Sequence, residues 1–226
     1  MPLSSHAQLP LGIGLHDSAT FANYYAGDNA PVVHALQSDE PFVYLWGGSG
    51  CGKSHLLQAA CHACAGGPVY LPLAEPALSP LMCEGLEAAP LVAVDDVQSI
   101  VGEADWEEAL FHLYNRIRAV GTRLLVAGEA SPLALGLKLP DLASRLSWGP
   151  VFQLRPLEDA QKVEALIQRA AGRGIEISVE VANYLLRRCP RDMHSLFALL
   201  DRLDHASLAA QRRLTIPFVR ELLGGV

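Results

Sequence analysis

The chain has 226 residues, enough for one substantial domain with a small companion and too few for several independent modules. Half of its residues are apolar and 18% are charged, which excludes a disordered chain, and no window approaches the roughly 18–20 uninterrupted apolar residues of a membrane-spanning helix. A net charge of −7 argues against binding nucleic acid through the overall field.

Residues 1–20 are small, polar and punctuated by Gly and Pro, and read as an extended arm. No Lys or Arg precedes an apolar block there, so the arm does not read as a secretory signal. Phe42–Trp46 is a β-branched and aromatic run, the mark of a buried strand. A glycine loop follows, then a helix-forming stretch from Lys53 to Ala65. Val69–Leu71 and the wholly apolar Leu91–Val94 read as further strands, the second buried on both faces as in a parallel sheet. Ala104–Val120 has helical periodicity, carried by Trp106, Leu110, Leu113, Tyr114 and Ile117. Arg123–Ala127 and Val151–Leu154 complete the strands.

Strands alternating with helices predict an α/β domain with a parallel sheet over residues 21–156. From 157 to 226 the pattern becomes helical throughout, with helices expected over Glu158–Gly172, Ser178–Cys189, Met193–Ala209 and Ile216–Leu223. The charge changes at the same place. Residues 151–226 carry 11 basic and 9 acidic side chains, against 6 and 15 before them. The arginines of the second part are spread along helices, which fits solvated faces and not a site for sequence-specific DNA binding. Five cysteines, an odd number at low density, fit a reducing compartment and hence the cytoplasm.

The strongest chemical signal is Gly47-Gly48-Ser49-Gly50-Cys51-Gly52-Lys53-Ser54, which fits the phosphate-binding pattern G-x-x-x-x-G-K-[ST] between a strand and a helix. Glycines let backbone N–H groups converge on phosphate oxygens, Lys53 reaches the β- and γ-phosphates, and the Ser54 hydroxyl suits Mg²⁺. The start of the helix adds its positive end. Leu91–Val94 runs into Asp95-Asp96, which puts carboxylates at the sheet edge beside the loop. Asp95 is then placed to hold Mg²⁺ through water, and Asp96 to polarise an attacking water. A thiol among backbone N–H groups also predicts a lowered pKa for Cys51. Trp106 and Trp148 are expected to serve packing. Cys61 and Cys64 have no second Cys/His pair at zinc-finger spacing.

Together the loop, Asp95-Asp96-Val97-Gln98 and Leu139-Pro140-Asp141-Leu142-Ala143-Ser144-Arg145-Leu146-Ser147-Trp148-Gly149 resemble the AAA+ core of the DnaA/Hda family. The run Gln211-Arg212-Arg213-Leu214-Thr215-Ile216-Pro217-Phe218-Val219 is similar to the end of its shorter, Hda-type members. The resemblance spans about Leu9 to Leu223. It implies a P-loop AAA+ core followed by a small all-helical lid, with ADP or ATP and Mg²⁺ as ligands. It makes Arg145 an arginine finger acting in trans on a neighbouring subunit's nucleotide, with ion pairing to Asp141 as the alternative use. It places Glu129 at the sensor-1 position, and Tyr24 and Tyr25 in the segment that wraps base and ribose. His194 falls at the sensor-2 position, where the family has an arginine. Neutral imidazole does not replace a permanently charged fork, so vigorous ATP hydrolysis alone is not expected. The initiators continue into a helix-turn-helix DNA-binding domain and this sequence does not, which points to a regulator.

Gln8-Leu9-Pro10-Leu11-Gly12-Ile13 resembles the hexapeptide by which Hda-type proteins dock on the β sliding clamp of DNA polymerase III. Gln8 supplies an amide, Leu9, Leu11 and Ile13 supply apolar side chains, and Pro10 limits the entropy lost on ordering. The resemblance implies a negative regulator of DNA replication initiation that stimulates hydrolysis of DnaA-bound ATP, with DnaA and the clamp as partners. A homodimer stays open. The alternative reading is an autonomous ATPase, such as a helicase loader, working as a homo-oligomer.

Overall fold

In the structure, a computed structural model that describes residues 19–210 and 212–224, five strands pair side by side and all in parallel. They are β1 (Phe42–Trp46), β2 (Val69–Pro72), β3 (Leu91–Asp95), β4 (Arg123–Gly128) and β5 (Val151–Gln153), in the order β2-β3-β4-β1-β5. The continuous apolar runs explain the arrangement, because both faces of the sheet are covered. Val43, Leu45, Leu91, Ala93, Leu125 and Ala127 pack on one face against Leu56, Leu57 and Ala60 of α2 (Lys53–Ala63). Tyr44, Val92, Val94, Leu124 and Val126 face the other way, onto Leu110, Leu113 and Ile117 of α3 (Ala104–Val120).

Two helices were not among the expected elements. One is α1 (Ala30–Gln37), which buries Val32 and Leu36 beside α2. The other is α4 (Pro140–Leu146), whose Leu142 and Leu146 are wholly buried. A single carboxylate sets where α4 begins. Glu107 on α3 is buried and accepts the backbone N–H groups of Gly102 at 2.8 Å, Lys138 at 3.2 Å and Leu139 at 2.7 Å. Burial alone would raise its pKa; the three amides and the Lys138 charge outweigh that and hold it below the usual range.

The helical unit contains α5 (Asp159–Ala171), α6 (Val179–Arg188), α7 (Met193–Ala210) and α8 (Ile216–Leu223) around a core of its own. Leu166, Leu185, Leu196, Leu200 and Val219 are fully enclosed there. Each expected helix of this part is present, with no end moved by more than one residue, and Ser178 caps α6 by accepting the Val181 N–H. Among the described residues no helix is long and apolar enough to cross a membrane.

The stretch 19–29 joins the two units. The carbonyls of Ala19 and Thr20 accept from the imidazoles of His62 (2.7 Å) and His55 (2.9 Å) on α2. Tyr25 donates to Glu164 of α5, and Gln168 donates to the Ala22 carbonyl at 3.4 Å. Asn29, buried, binds both backbone groups of Arg155 in the linker before α5, donating to its carbonyl at 3.0 Å and accepting from its N–H at 2.9 Å.

Candidate functional site

At the C-terminal edge of the sheet, the loop after β1 turns through Gly50 and Gly52, both left-handed (φ 75° and 94°), and Gly52 opens α2. The second position tolerates only glycine for a further reason. A Cβ there would lie 2.8 Å from the Tyr24 ring. Lys53 is buried, and its Nζ donates to the carbonyls of Gly47 at 2.8 Å and Gly48 at 3.1 Å. The loop therefore surrounds a fixed ammonium and the first amides of a helix, a geometry suited to polyphosphate.

A cavity of about 650 Å³ lies over this loop. Its floor is Ser49 to His55, one side carries Asp96 and Glu129, and Asn23, Tyr24 and Tyr25 close another. The lid supplies the remaining wall through Ala165, Asp192, Met193 and Phe197. The structure thus brings Tyr24, Tyr25, Ser49, Gly50, Cys51, Gly52, Lys53, Ser54, Asp96 and Glu129 to one place, with Gly47 and Gly48 immediately behind. Asn23, Asp192 and Met193 flank the residues that the resemblance placed at the nucleotide, whereas sequence reasoning missed His55, Leu157, Ala165 and Phe197, which no local spacing singles out.

Asp95 is fully enclosed and lies beneath the cavity, where its carboxylate hydrogen-bonds the Ser54 hydroxyl. Burial raises its pKa, the Asp96 charge adds to that, and the hydrogen bonds from Ser54, Tyr70 and the Asp96 amide oppose it. Asp96 itself adopts a left-handed conformation (φ 58°, ψ 43°), and its Oδ1 accepts from the Gln98 side-chain amide at 2.9 Å. The paired oxygens of Ser54 and Asp95 are hard donors beside a phosphate cradle, which fits Mg²⁺ bound through one or two protein oxygens, water and phosphate.

Two expectations change. Cys51 does not have a depressed pKa: burial raises it, and the opposing pull of Lys53 and nearby amides is smaller. Trp148 is not a core residue but 58% exposed, with the Arg118 guanidinium 3.6 Å from its ring centroid.

Arg145 lies near the end of α4, half-buried, 5.8 Å from the ring centroids of both Phe111 and Trp148. It does not line the chain's own cavity. Its Nε is buried without a hydrogen-bond partner, and among the described residues no ion pair joins it to Asp141. Gln8, Leu9, Leu11 and Ile13 lie outside the described residues, as does the side chain of His194.

Residues 159–223 match the family described as Hda, lid domain. Among solved structures, domain III of the replication initiation protein DnaA from Thermotoga maritima superposes with a TM-score of 0.76, at 19% identity, over 94% of this chain and 98% of that one. AMPPCP-bound DnaA from Aquifex aeolicus gives a TM-score of 0.67 at 22% identity, over 84% of this chain and 66% of its own length. A RuvB variant from Thermotoga maritima gives 0.64 at 16% identity, over 87% of this chain and 66% of that one. At these identities the likeness is one of fold, and the lid match concerns residues 159–223 alone. The chain thus has the fold of DnaA domain III, an α/β core followed by a helical unit whose residues 159–223 match the Hda lid domain.

Proposed function

We propose that the protein is an Hda-type regulator of replication initiation, acting in the cytoplasm. It binds an adenine nucleotide, with ADP as the resident form, docks on the DNA polymerase III sliding clamp through Gln8, Leu9, Leu11 and Ile13, and presents Arg145 to ATP held on DnaA. Hydrolysis in the partner leaves DnaA in its ADP form and prevents re-initiation. The observation that carries this reading is the position of Arg145: a guanidinium away from its own cavity, backed by two aromatic rings and, among the described residues, without a carboxylate partner. Such a group neutralises charge building on a phosphoryl group across an interface. The Hda lid supports the same branch.

In the nucleotide site, Lys53 and the loop amides hold the phosphates, Tyr24 and Tyr25 flank base and ribose, and the lid wall closes over them. Ser54 and Asp95 would hold Mg²⁺, which supplies charge neutralisation when bound. Asp192 lines the lid wall and caps α7, its Oδ1 accepting the Ser195 N–H at 2.8 Å, where the family carries an arginine two residues later.

The test is single-turnover hydrolysis of DnaA-bound ATP with clamp loaded on DNA. The wild-type chain should accelerate it, Arg145→Ala should lower the acceleration about 10³-fold or more while nucleotide binding persists, and alanines across Gln8–Ile13 should remove the dependence on clamp. Rapid turnover by the chain alone, indifferent to the arm, discards this reading. It would favour the second one, an autonomous ATPase working as a homo-oligomer, for which Asp96 and Glu129 beside Lys53 and Ser54 speak.

A further inference from the structure

Beneath the phosphate loop, Asp95 is joined to two polar side chains, Tyr70 and Gln58, that the reading above does not use. Asp95 ends β3 with no exposed surface. Its Oδ1 accepts the Asp96 backbone N–H at 2.9 Å, its Oδ2 accepts the Tyr70 hydroxyl at 2.8 Å, and Ser54 hydrogen-bonds the same carboxylate. Tyr70 sits on the neighbouring strand, where the register pairs Tyr70 with Ala93 and Pro72 with Asp95. Gln58, buried on α2 one turn beyond Ser54, hydrogen-bonds the Tyr70 hydroxyl in turn. Chemistry fixes the direction of these bonds. An ionised carboxylate only accepts, so the phenol proton is committed to Asp95, and the phenol oxygen is left to accept from the Gln58 amide.

We propose that Tyr70, held by Gln58, is a positioning residue for the divalent cation bound with nucleotide. The Asp95 carboxylate would otherwise be free about its last torsion, which is broad for this side chain. The Asp96 amide and the Tyr70 hydroxyl together pin both oxygens, so that the carboxylate meets Ser54 in one orientation before a cation arrives. The brace comes from elements that frame the loop: Tyr70 reaches Asp95 from the strand beyond β3, and Gln58 reaches Tyr70 from the helix that Lys53 begins. The cost of ordering the cation site is met in folding and not on binding.

The proposal rests on the nucleotide-binding part of the proposed function and is tested without DnaA. A fluorescent ADP analogue is titrated onto the full chain at increasing Mg²⁺, and again in EDTA. Tyr70→Phe keeps the packing ring and removes only the hydroxyl. The Mg²⁺ concentration giving half of the cation-dependent gain in affinity should rise about tenfold, the scale of one hydrogen bond to a charged group. Affinity in EDTA should stay within about twofold, since the phosphate contacts are untouched. Gln58→Met should raise the same midpoint by less, and the double variant should add nothing to Tyr70→Phe, because Gln58 acts through Tyr70. An unchanged midpoint in Tyr70→Phe overturns the role. So does a parallel loss of affinity in EDTA, which would mark general loosening of the fold. A wild-type chain that binds no nucleotide overturns the site and this proposal together. One that binds it yet leaves DnaA unaffected overturns only the function proposed above.

Discussion

Lys53 shows how far a single side chain carries the site. Its ammonium is buried and held by two carbonyls of the loop that it serves, which braces the curvature of the loop. Lys53→Ala should therefore act twice, weakening nucleotide affinity roughly 10–100-fold, as loss of a charge-assisted contact does, and loosening the loop itself. Isothermal titration with ADP reads the first effect and hydrogen exchange of the loop amides the second. Gly52→Ala tests the approach of the aromatic ring from the other side. It combines a left-handed backbone (φ 94°) with a Cβ 2.8 Å from Tyr24. A cost of about 1–3 kcal/mol is expected, lowering Tm by about 2–4 °C per kcal/mol for a chain of this size, with ADP affinity falling as Tyr24 is displaced.

Among elements, α4 starts where a single ionisable group, Glu107, holds the backbone. Its seven residues are too few to form alone. Replacing that carboxylate by an amide turns one acceptor into a donor facing N–H groups, so Glu107→Gln should cost about 2 kcal/mol at pH 7. The sign of the pH effect follows from the depressed folded-state pKa. The stabilisation is complete above the unfolded value, ordinarily about 4.3, and disappears as pH falls through the lower folded-state value. Tm of the two chains measured from pH 7 downward should converge in that acid range. The elements themselves differ in how readable they were. β1, β3 and β4 announced themselves because a strand buried on both faces must be apolar throughout, and the loop because phosphate binding dictates its glycines. α1 escaped notice: Ala30-Pro31-Val32-Val33 opens with a proline and two β-branched residues, and its Val32 and Leu36 are recognisable as core only once α2 lies beside them. The pairing of Tyr70 with Asp95 was equally hidden, since it depends on which strands become neighbours and not on any spacing.

For the molecule as a whole, the stretch 19–29 and the Arg155 linker decide how core and lid are joined. Asn29 satisfies both backbone groups of Arg155, and removing it leaves a donor and an acceptor in a partly buried place. Asn29→Ala should cost about 1–3 kcal/mol and speed limited proteolysis within residues 155–158, with little change in the core's own hydrogen-exchange protection. The same junction explains why Ala165 and Phe197 were not legible as cavity wall: they reach it only because the chain is fastened at two distant points, whereas the resemblance had already brought His194, on the helix of Phe197, to the nucleotide.

The exposed indole of Trp148, stacked under Arg118 and next to Arg145, provides an optical handle on that face. Trp46 and Trp106 are half-buried against the core, so acrylamide should quench chiefly the emission of Trp148, and Trp148→Phe should remove the quenchable fraction. Docking of a partner over Arg145 should then shield the ring and flatten the Stern–Volmer slope, making association visible in unlabelled protein.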